Sequence, residues 1–404
     1  MSIEWVYRAG LCVQCGTCAA MCPRSAIQMT WDSRRGYRLA VEAELCHDCG
    51  LCELVCPGPA VDFRQLTERF LDGDRDDPRL GRFLSCHVGY ATDERIRWDA
   101  ASGGIVTALL VEGLRKGLFD AALVTQMKPE APLEPMPILA ATEEEIRAAA
   151  GSKYCPVASN VRLREILDAD GRFAVVGLPC HIHGLRMAQI RTPKLRAKVV
   201  VCISLFCGLN MSPLGTRVAL NRRQVPRDQV TELRYRGEGW PGALQVQLRD
   251  GETYREDLYS YFDRSFSAYE MHHCNLCSDV FGELADISCG DAWLPEYTAN
   301  DERGTSIVIV RNTQGQNFLR SLENAVDLVP LDAERALASQ EDALTWKKDR
   351  LRAKAALARV AGRATPTYEQ DLPAPGLTDY VGSSTQMVTR WLSRQWHRLQ
   401  GFDS

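Results

Sequence analysis

Three features are scarce or missing in this 404-residue chain, and each absence excludes a class of protein. The most apolar window, residues 199–209, is far too short to span a bilayer and predicts a buried strand with its turn. The net charge of −4 leaves no basic excess, so we expect no nucleic-acid partner. The first ten residues lack the charged and then apolar pattern of a secretion signal. The 45% hydrophobic content suffices for two or three globular domains.

Cysteine, by contrast, is abundant, with sixteen residues in the chain. Two runs share one pattern: Cys12-x2-Cys15-x2-Cys18-x3-Cys22-Pro23 and Cys46-x2-Cys49-x2-Cys52-x3-Cys56-Pro57. Such a pair is the signature of a bacterial-type ferredoxin with two 4Fe-4S clusters, in which the fourth cysteine of each run ligates the other cluster. The predicted ligand sets are Cys12, Cys15, Cys18 and Cys56 for one cluster, and Cys46, Cys49, Cys52 and Cys22 for the other.

Two simpler interpretations of these runs, structural zinc and disulfides, agree less well with the cysteine spacing. Structural zinc would need only two of the three closely spaced thiols in each run, and disulfides would not produce the repeat. Because cluster ligation needs reduced thiolates, we expect a cytoplasmic location.

The surroundings of the cysteine runs define the first domain boundaries. Alternating apolar residues on both sides of Gly36 predict a β-hairpin between the runs, so the ferredoxin domain covers residues 1–62. Residues 63–82 are strongly charged and predict a solvated linker with a short helix. A calcium-binding loop is excluded there, because Asp77 occupies the required glycine position and Phe83 the required glutamate position.

From residue 83 the pattern changes to alternating helices and strands. Helical spacing begins behind Gly104, Thr142-x-x-Glu145 is a capping box, and residues 121–125 and 173–176 form apolar strands. This alternation predicts an α/β domain, and the antiparallel signals beyond residue 228 predict β additions to it. We therefore expect an α+β/α/β multidomain fold, with a ferredoxin domain, an α/β domain over residues 83–345 and a helical tail.

Several short motifs in the α/β domain carry polar or reactive groups. Ser102-Gly103-Gly104 opens a helix and offers backbone N–H groups to a phosphate, although glycine pairs there are often turn devices. Gly151-Ser152-Lys153-Tyr154 offers a cation and an aromatic ring, or a glycine that ends a helix. Cys180 follows a buried strand and is a nucleophile, a cluster ligand or a small buried residue. A lone C-x2-C such as Cys274–Cys277 is equally a zinc site or a redox pair.

These motifs together carry a family resemblance. They are Ser102–Leu110, Gly151–Tyr154, Val176–Cys180, Phe206–Gly208, Gly239–Gly242, Cys274-x2-Cys277-x-Asp279, Ala285–Ser288 and Gly290-Asp291. In this order, the region from about Phe83 to Leu344 resembles the coenzyme F420 hydrogenase/dehydrogenase beta-subunit family, which consists of iron–sulfur flavoproteins. One departure is His181, because the family usually carries an amide side chain directly after the Pro-Cys pair.

The resemblance implies bound FAD and a third 4Fe-4S cluster. Four thiols on the family motifs are assigned to that cluster: Cys180, Cys207, Cys274 and Cys277. Cys155, Cys202 and Cys289 lie close by in sequence and remain alternatives to one member. FAD is expected near Ser102, Gly103, Gly104, Thr107, Gly151, Ser152, Lys153, Tyr154, Gly177 and Pro179. His181 and His183 are candidate proton donors beside the flavin, with a structural role as the alternative.

The expected function is an oxidoreductase that passes electrons between a hydride carrier at FAD, such as F420 or NAD(P)H, and one-electron carriers through the clusters. The alternatives are a ferredoxin-dependent reductase of a tetrapyrrole-like substrate and a non-catalytic electron-transfer subunit. A redox partner protein or larger complex is implied in each case. The basic tail, residues 346–404, contains an amphipathic helix, and we favour packing on its own body or a partner over lipid.

Overall fold

The structure is a computed structural model that describes residues 2–402, apart from the side chains of Arg264 and Ser265. Its first domain has the elements α1 (Ile3–Arg8), α2 (Thr17–Met21), β1 (Ile27–Asp32), β2 (Gly36–Val41), α3 (Leu51–Leu54) and β3 (Ala60–Val61). Strands β1 and β2 pair antiparallel, with Ile27 opposite Val41. The predicted hairpin is confirmed. Gly36 at its turn has φ +85°, a conformation that favours glycine.

The segment after this domain differs from the solvated linker that its charge predicts. It forms α4 (Phe63–Phe70) and a small antiparallel pair, β4 (Arg75–Asp77) with β5 (Gly81–Phe83). Phe63 and Leu66 are buried in one core with Ile182 and Leu185 of the next domain. The charged residues of α4 lie on its outer face, and its apolar face packs against the protein. The charged composition of the segment therefore does not show that the helix is packed.

An eight-stranded sheet organises the second domain. Its strands are β6 (Ser85–Ala91), β7 (Ala121–Lys128), β8 (Ala131–Ala140), β9 (Phe173–Gly177), β10 (Val199–Leu205), β14 (Ile287–Asp291), β15 (Ser306–Val310) and β16 (Val326–Pro330). They are arranged in the order β16-β6-β15-β14-β10-β9-β7-β8. The four neighbours β14, β10, β9 and β7 run parallel, and the flanking strands are antiparallel to their neighbours.

Helices cover both faces of this sheet, as a buried parallel sheet requires. The helices of the region are α5 (Glu94–Asp99), α6 (Ile105–Arg115), α7 (Glu143–Ala148), α8 (Leu163–Asp168), α9 (Pro179–Arg191), α10 (Pro193–Lys198), α11 (Pro213–Arg222), α12 (Leu258–Tyr261), α13 (Arg264–Ser267), α14 (His272–Asn275), α15 (Pro295–Thr298), α16 (Thr313–Arg320), α17 (Ala333–Ala338) and α18 (Glu341–Leu344). One core includes α6 and α16, and the opposite core includes α8, α9, α10 and residues of the ferredoxin domain. The predicted capping box at Thr142 is present at the start of α7.

The antiparallel signals beyond residue 228 correspond to a separate three-stranded sheet, β11 (Val230–Arg234), β12 (Ala243–Leu248) and β13 (Thr253–Asp257). Strand β15, which also lies beyond residue 228, instead belongs to the main sheet.

The last segment packs on the rest of the molecule. It contains α19 (Leu351–Val360), β17 (Thr367–Tyr368) and α20 (Leu377–Leu399), and β17 pairs parallel with β3 of the ferredoxin domain. One side of α20 is anchored by buried Ser383 and His397, while Val388, Trp391 and Leu392 on it are exposed. Among the described residues, no helix is both long and apolar enough to cross a membrane.

Candidate functional site

In the ferredoxin domain, cysteines of the two runs lie close enough to influence one another's charge. Burial raises the pKa of Cys18 well above its usual value, and charge repulsion from Cys15, Cys56 and Cys12 raises it further. Cys56, from the second run, thus lies beside the first three cysteines of the first run. In the other group, burial and Glu53 raise the pKa of Cys52, and Cys49 and Cys22 add to the increase. The fold therefore brings the fourth cysteine of each run to the opposite group.

The two groups differ in their exposure to solvent. Cys15, Cys18 and Cys56 are buried, whereas Cys46 and Cys49 are exposed. The second group therefore lies at the molecular surface, and the first group lies toward the α/β domain.

A third group of thiols lines one cavity at the boundary between the domains. Cys180, Cys207, Cys274 and Cys277 all contribute to its wall, and Val13 and Pro57 of the ferredoxin domain complete it. The topology explains this convergence. Strands β9 and β10 are parallel neighbours, so Cys180 and Cys207, which follow them, emerge at the same edge of the sheet. Cys274 lies on the short helix α14, and Cys277 follows Cys274 by three residues.

The three alternative cysteines lie elsewhere. Cys202 is fully buried within β10, where its backbone N–H donates to Asp286 Oδ2 over 2.6 Å. Cys289 is a buried residue of β14, and Cys155 packs in the core of the three-stranded sheet. None of these three lines the cavity.

The spacing of the thiols bears on the zinc alternative. Within residues 2–402, no three cysteine, histidine or acidic side chains are close enough to hold one metal ion. Zinc would draw all its ligands to a single ion, whereas a cubane accepts its thiolates at four separate irons.

The third group is linked electrostatically to the ferredoxin domain. Burial raises the pKa of Cys180 well above its usual value, and the neighbouring thiols that add to this include Cys207, Cys274 and also Cys15. Cys15 belongs to the first ferredoxin group. The two groups of thiols are therefore close enough to interact electrostatically.

Among the cavity residues that sequence reasoning missed, Lys347 and Tyr368 lie in the segment interpreted as a tail. Lys347 is 1% exposed, and its ammonium donates to Cys207 O over 2.9 Å and to Asp279 O. Burial works to lower the pKa of Lys347, but Cys277, Cys207 and Cys274 hold it above its usual range. Tyr368, on β17, also lines the cavity. One sequence signal could have identified Lys347 as a buried residue. The apolar residues Leu344 and Leu351 lie on either side of it at near-helical spacing.

The two candidate histidines line the cavity, and each ring forms hydrogen bonds with the protein. Leu178 N–H donates to His181 Nδ1 over 3.1 Å, so Nε2 carries the proton and donates to Val157 O over 2.9 Å. Burial lowers the pKa of His181 to about 4. His183 donates from Nε2 to Asp279 Oδ2 over 2.8 Å. Both rings are held in place by the protein, and a proton-donor role for either residue stays a prediction.

The carboxylate that receives the His183 proton also organises the C-x2-C segment. Asp279 accepts from Gly282 N–H over 2.7 Å and from Glu283 N–H over 3.0 Å. Burial acts to raise the pKa of Asp279, but the hydrogen bond from His183 and the charge of Lys347 hold it at about 2. Asp279 therefore fixes the loop that presents Cys277.

The glycine motif at the start of α6 lies at the same edge of the sheet as the thiols. Gly104 has φ +77° and forms the N-cap without a side-chain hydrogen bond, which leaves helix N–H groups for a phosphate. Gly103 N–H already donates to Ser306 Oγ, and Ser102 Oγ lies 2.8 Å from the same atom. Thr107 is half-buried on the first turn. Three strand spacings, about 14 Å, separate β6 from β10 along this edge.

The Gly151–Tyr154 segment does not present the groups that were expected to contact FAD. The Lys153 ammonium donates to the carbonyls of Ala149, Ala150 and Gly151 over 2.6 to 3.1 Å, at the end of α7. Tyr154 packs against Tyr235, Phe262 and Phe266. Gly151, with φ +81°, and Ser152 are half-buried beside this loop. The helix-ending interpretation of Gly151 agrees better with this geometry.

The remaining candidates frame Cys180. Gly177 ends β9, and a Cβ atom there would lie 2.7 Å from His181 Cβ, so glycine is needed for the close approach. Pro179 is the first residue of α9. Both residues support the turn that aims Cys180 into the cavity.

Fold and thiol arrangement define an iron–sulfur protein with a ferredoxin domain docked on an α/β domain. Comparison with known families agrees. Residues 11–60 match the 4Fe-4S dicluster domain, residues 86–164 match the N-terminal part of the coenzyme F420 hydrogenase/dehydrogenase beta subunit, and residues 170–334 match its C-terminal part. The chain belongs to the coenzyme F420 hydrogenase/dehydrogenase beta-subunit family and carries an N-terminal 4Fe-4S dicluster domain.

Individual relatives show the same family similarity. The chain is 27% identical to the coenzyme F420 hydrogenase subunit beta of Methanothermobacter thermautotrophicus, over 71% of this chain and 99% of that protein. It is 27% identical to the chloroplastic 7-hydroxymethyl chlorophyll a reductase of Oryza sativa subsp. japonica, over 56% of this chain and 47% of that protein. A chain of the F420-reducing [NiFe] hydrogenase complex from Methanosarcina barkeri shares the fold, with a TM-score of 0.57 and 24% identity over 72% of this chain and 98% of that one.

Proposed function

We propose that this chain is an oxidoreductase that passes electrons between a hydride carrier at bound FAD and a one-electron partner, through three 4Fe-4S clusters. The observation that carries the proposal is the convergence of Cys180, Cys207, Cys274 and Cys277 on one cavity, directly beside Cys15. A cubane needs four thiolates, and this cavity supplies four.

The order of the three groups supports a linear path for electrons. The cavity group is enclosed between two domains, the Cys12 group adjoins it, and the Cys46 group is exposed. Electrons that enter at the enclosed end would leave at the surface, where a partner protein can dock. Buried intermediate centres are protected from solvent and from unwanted reactions.

The edge of the sheet offers some of the groups that were expected to bind FAD. The start of α6 offers free N–H groups, while Lys153 and Tyr154 are committed to the protein. When bound, FAD exchanges electron pairs with a hydride carrier and single electrons with clusters. The chain's own contribution would be to hold the phosphates at the α6 N-terminus, with Thr107 on the same turn, and to exclude water around the thiols.

The partners are proposed from the relatives. The bacterial-type ferredoxin domain and the similarity to hydrogenase beta subunits support membership in a larger redox complex, with F420 or NAD(P)H as the hydride carrier. A cytoplasmic location is proposed with it, since such thiolates need reducing conditions.

A second candidate is a ferredoxin-dependent reductase of a tetrapyrrole-like substrate, with electrons moving inward. The similarity to the rice 7-hydroxymethyl chlorophyll a reductase favours it. A non-catalytic electron-transfer subunit is the third candidate, and it would hold the clusters without a substrate.

The test is anaerobic stopped-flow mixing of the purified protein with reduced F420, NADPH and reduced ferredoxin in turn, after iron and flavin are quantified. Bleaching of the flavin by F420 or NADPH supports the main proposal. Bleaching by ferredoxin alone supports the second candidate. Iron without any flavin, in protein purified with FAD present, contradicts both and leaves the electron-transfer subunit.

A further inference from the structure

The side chain of Thr17 links the first ferredoxin group of thiols to the α/β domain. Its hydroxyl oxygen lies 3.2 Å from Cys15 Sγ and accepts a hydrogen bond of 2.8 Å from Asn160 Nδ2. Asn160 lies on a short 3₁₀ helix of the α/β domain, Ser159–Arg162. Thr17 and Asn160 are both 0% exposed, so bulk water does not compete for these contacts.

A second contact of the Asn160 amide fixes the direction of these hydrogen bonds. Asn160 Nδ2 also donates to His181 O over 2.8 Å, and a carbonyl oxygen can only accept. The nitrogen of the amide therefore faces both His181 and Thr17. Because the Thr17 oxygen accepts from Asn160, its single proton is directed toward Cys15 Sγ. The hydroxyl thus donates to a sulfur that is a predicted cluster ligand.

The contact between the domains is close around Thr17, because α9 carries a glycine there. A Cβ atom at Gly184 would lie 2.2 Å from Thr17 Oγ1 and 3.3 Å from Asn160 Nδ2. The backbones also bond directly, since Asn160 N–H donates to Cys15 O over 2.8 Å. Both domains therefore hold the Thr17 hydroxyl, which has little freedom to turn away from the sulfur.

We propose that Thr17 and Asn160 are positioning residues that raise the reduction potential of the cluster of the Cys12 group, of which Cys15 is a predicted ligand. The inference rests on the proposed function, which includes this cluster. A proton donated to a ligating sulfur stabilises added negative charge, and hydrogen bonds to the sulfurs are among the factors that set such potentials. Because Asn160 orients the hydroxyl from the other domain, this potential depends on how the two domains dock.

The test is an EPR-monitored redox titration of the intact protein under anaerobic conditions. Thr17→Val removes the hydroxyl at nearly constant volume, and we expect it to lower the midpoint potential of this cluster. A roughly tenfold loss in the equilibrium constant for one-electron reduction corresponds to about 59 mV. Thr17→Ser keeps a hydroxyl and should retain most of the wild-type potential. Cys49→Ala and Cys277→Ala identify the signals of the other two clusters, whose potentials serve as internal references.

Asn160→Ala tests the contribution of the α/β domain. It removes the amide that orients the Thr17 hydroxyl, so we expect a smaller fall in the potential of the same cluster. Added to Thr17→Val, it should cause no further change, because Asn160 acts through that hydroxyl. Ser159→Ala is the matched control and should keep the wild-type potential. Ser159 is also buried, at 2% exposure, but its hydroxyl lies 3.2 Å from Thr125 Oγ1.

An unchanged potential in Thr17→Val, with the cluster present by iron analysis, overturns the inference. Equal falls in Thr17→Val and Thr17→Ser also overturn it, because altered packing would then explain both. An equal effect of Asn160→Ala with and without Thr17→Val overturns the role of Asn160. Where Thr17→Val does not retain the cluster, Asn160→Ala decides, and an unchanged potential in it overturns the inference. The proposed function fails separately, and the inference with it, when reconstituted wild-type protein shows no 4Fe-4S signal.

Discussion

At the scale of single residues, the four cavity thiols are distinguished from other buried cysteines by position alone. Cys277 lines the cavity, while Cys202 is fully buried in β10 and does not line it. Sequence spacing does not separate them, because both lie close to family motifs. The tertiary arrangement does.

Cys277→Ala should therefore lose about one third of the iron if the protein holds three cubanes and the variant cannot retain the third. Iron quantitation after anaerobic purification measures this, and Cys202→Ala should keep the wild-type iron content. Full iron in Cys277→Ala would contradict the ligand assignment.

Lys347 places a positive charge against the cavity thiols. Lys348, its sequence neighbour, is equally buried, but its ammonium pairs with Glu283 over 2.7 Å and donates to Pro78 O over 2.9 Å. The two lysines thus share burial and differ in which charge they face. This makes Lys348 a matched control for Lys347.

We expect Lys347→Met to lower the midpoint potential of the third cluster, because a cation next to the cluster stabilises its reduced, more negative form. The shift should be roughly 50 to 120 mV for a unit charge several ångströms away at an effective dielectric constant near 20. An EPR-monitored redox titration measures it. Lys348→Met should leave this potential nearly unchanged, and equal shifts in both variants would refute a specific effect of Lys347.

At the scale of elements, β17 joins the final segment to the ferredoxin domain. Thr367 N–H donates to Pro59 O over 3.0 Å and Glu369 N–H to Val61 O over 3.2 Å, so the strand carries Tyr368 into the cavity wall. Two short strands hold the segment that shields the third group of thiols. The pairing is small, and its loss should be local.

Thr367→Pro removes the first of these donors and should loosen β17. We expect faster proteolytic cleavage within residues 361–376 and faster loss of iron from the third cluster to a chelator. Ala374→Pro, in an exposed position of the same segment, is the control. Identical cleavage and chelation rates in the two variants would show that β17 does not protect the site.

At the scale of the whole molecule, the three groups of thiols form a series from the enclosed cavity to the surface. Cys49 belongs to the outermost group and is exposed, whereas the Cys12 group lies between it and the cavity. The domains are packed through a shared core that includes Val55, Phe63 and Leu185, so this order is fixed by the fold.

Cys49→Ala should slow electron exchange with an external ferredoxin severalfold and leave flavin bleaching by the hydride carrier unchanged. Double-mixing stopped-flow separates the two steps. The EPR signal of the Cys12 group in the same variant reports whether the domain is folded. Unimpaired exchange with ferredoxin, in a variant shown to lack the outer cluster, would place the exit elsewhere.

The sequence by itself determined the features that depend on local spacing. The cysteine runs, the hairpin around Gly36, the capping box at Thr142 and the alternation of helices and strands are all written in neighbouring residues. Family motifs added the four cavity thiols, although their ligand role remains a prediction. Charge patterns predicted burial less well. The helix at residues 63–70 and the lysines after residue 346 lie in charged segments, but both are partly buried in the folded protein.

Only the tertiary structure decided what depends on long-range packing. It placed Lys347 and Tyr368 in the cavity and engaged both histidines with Val157 and Asp279. The sequence pattern around a charged or polar residue is the same whether its side chain faces solvent or a buried partner. Its role is set by groups 20 to 140 residues away, which local patterns do not encode.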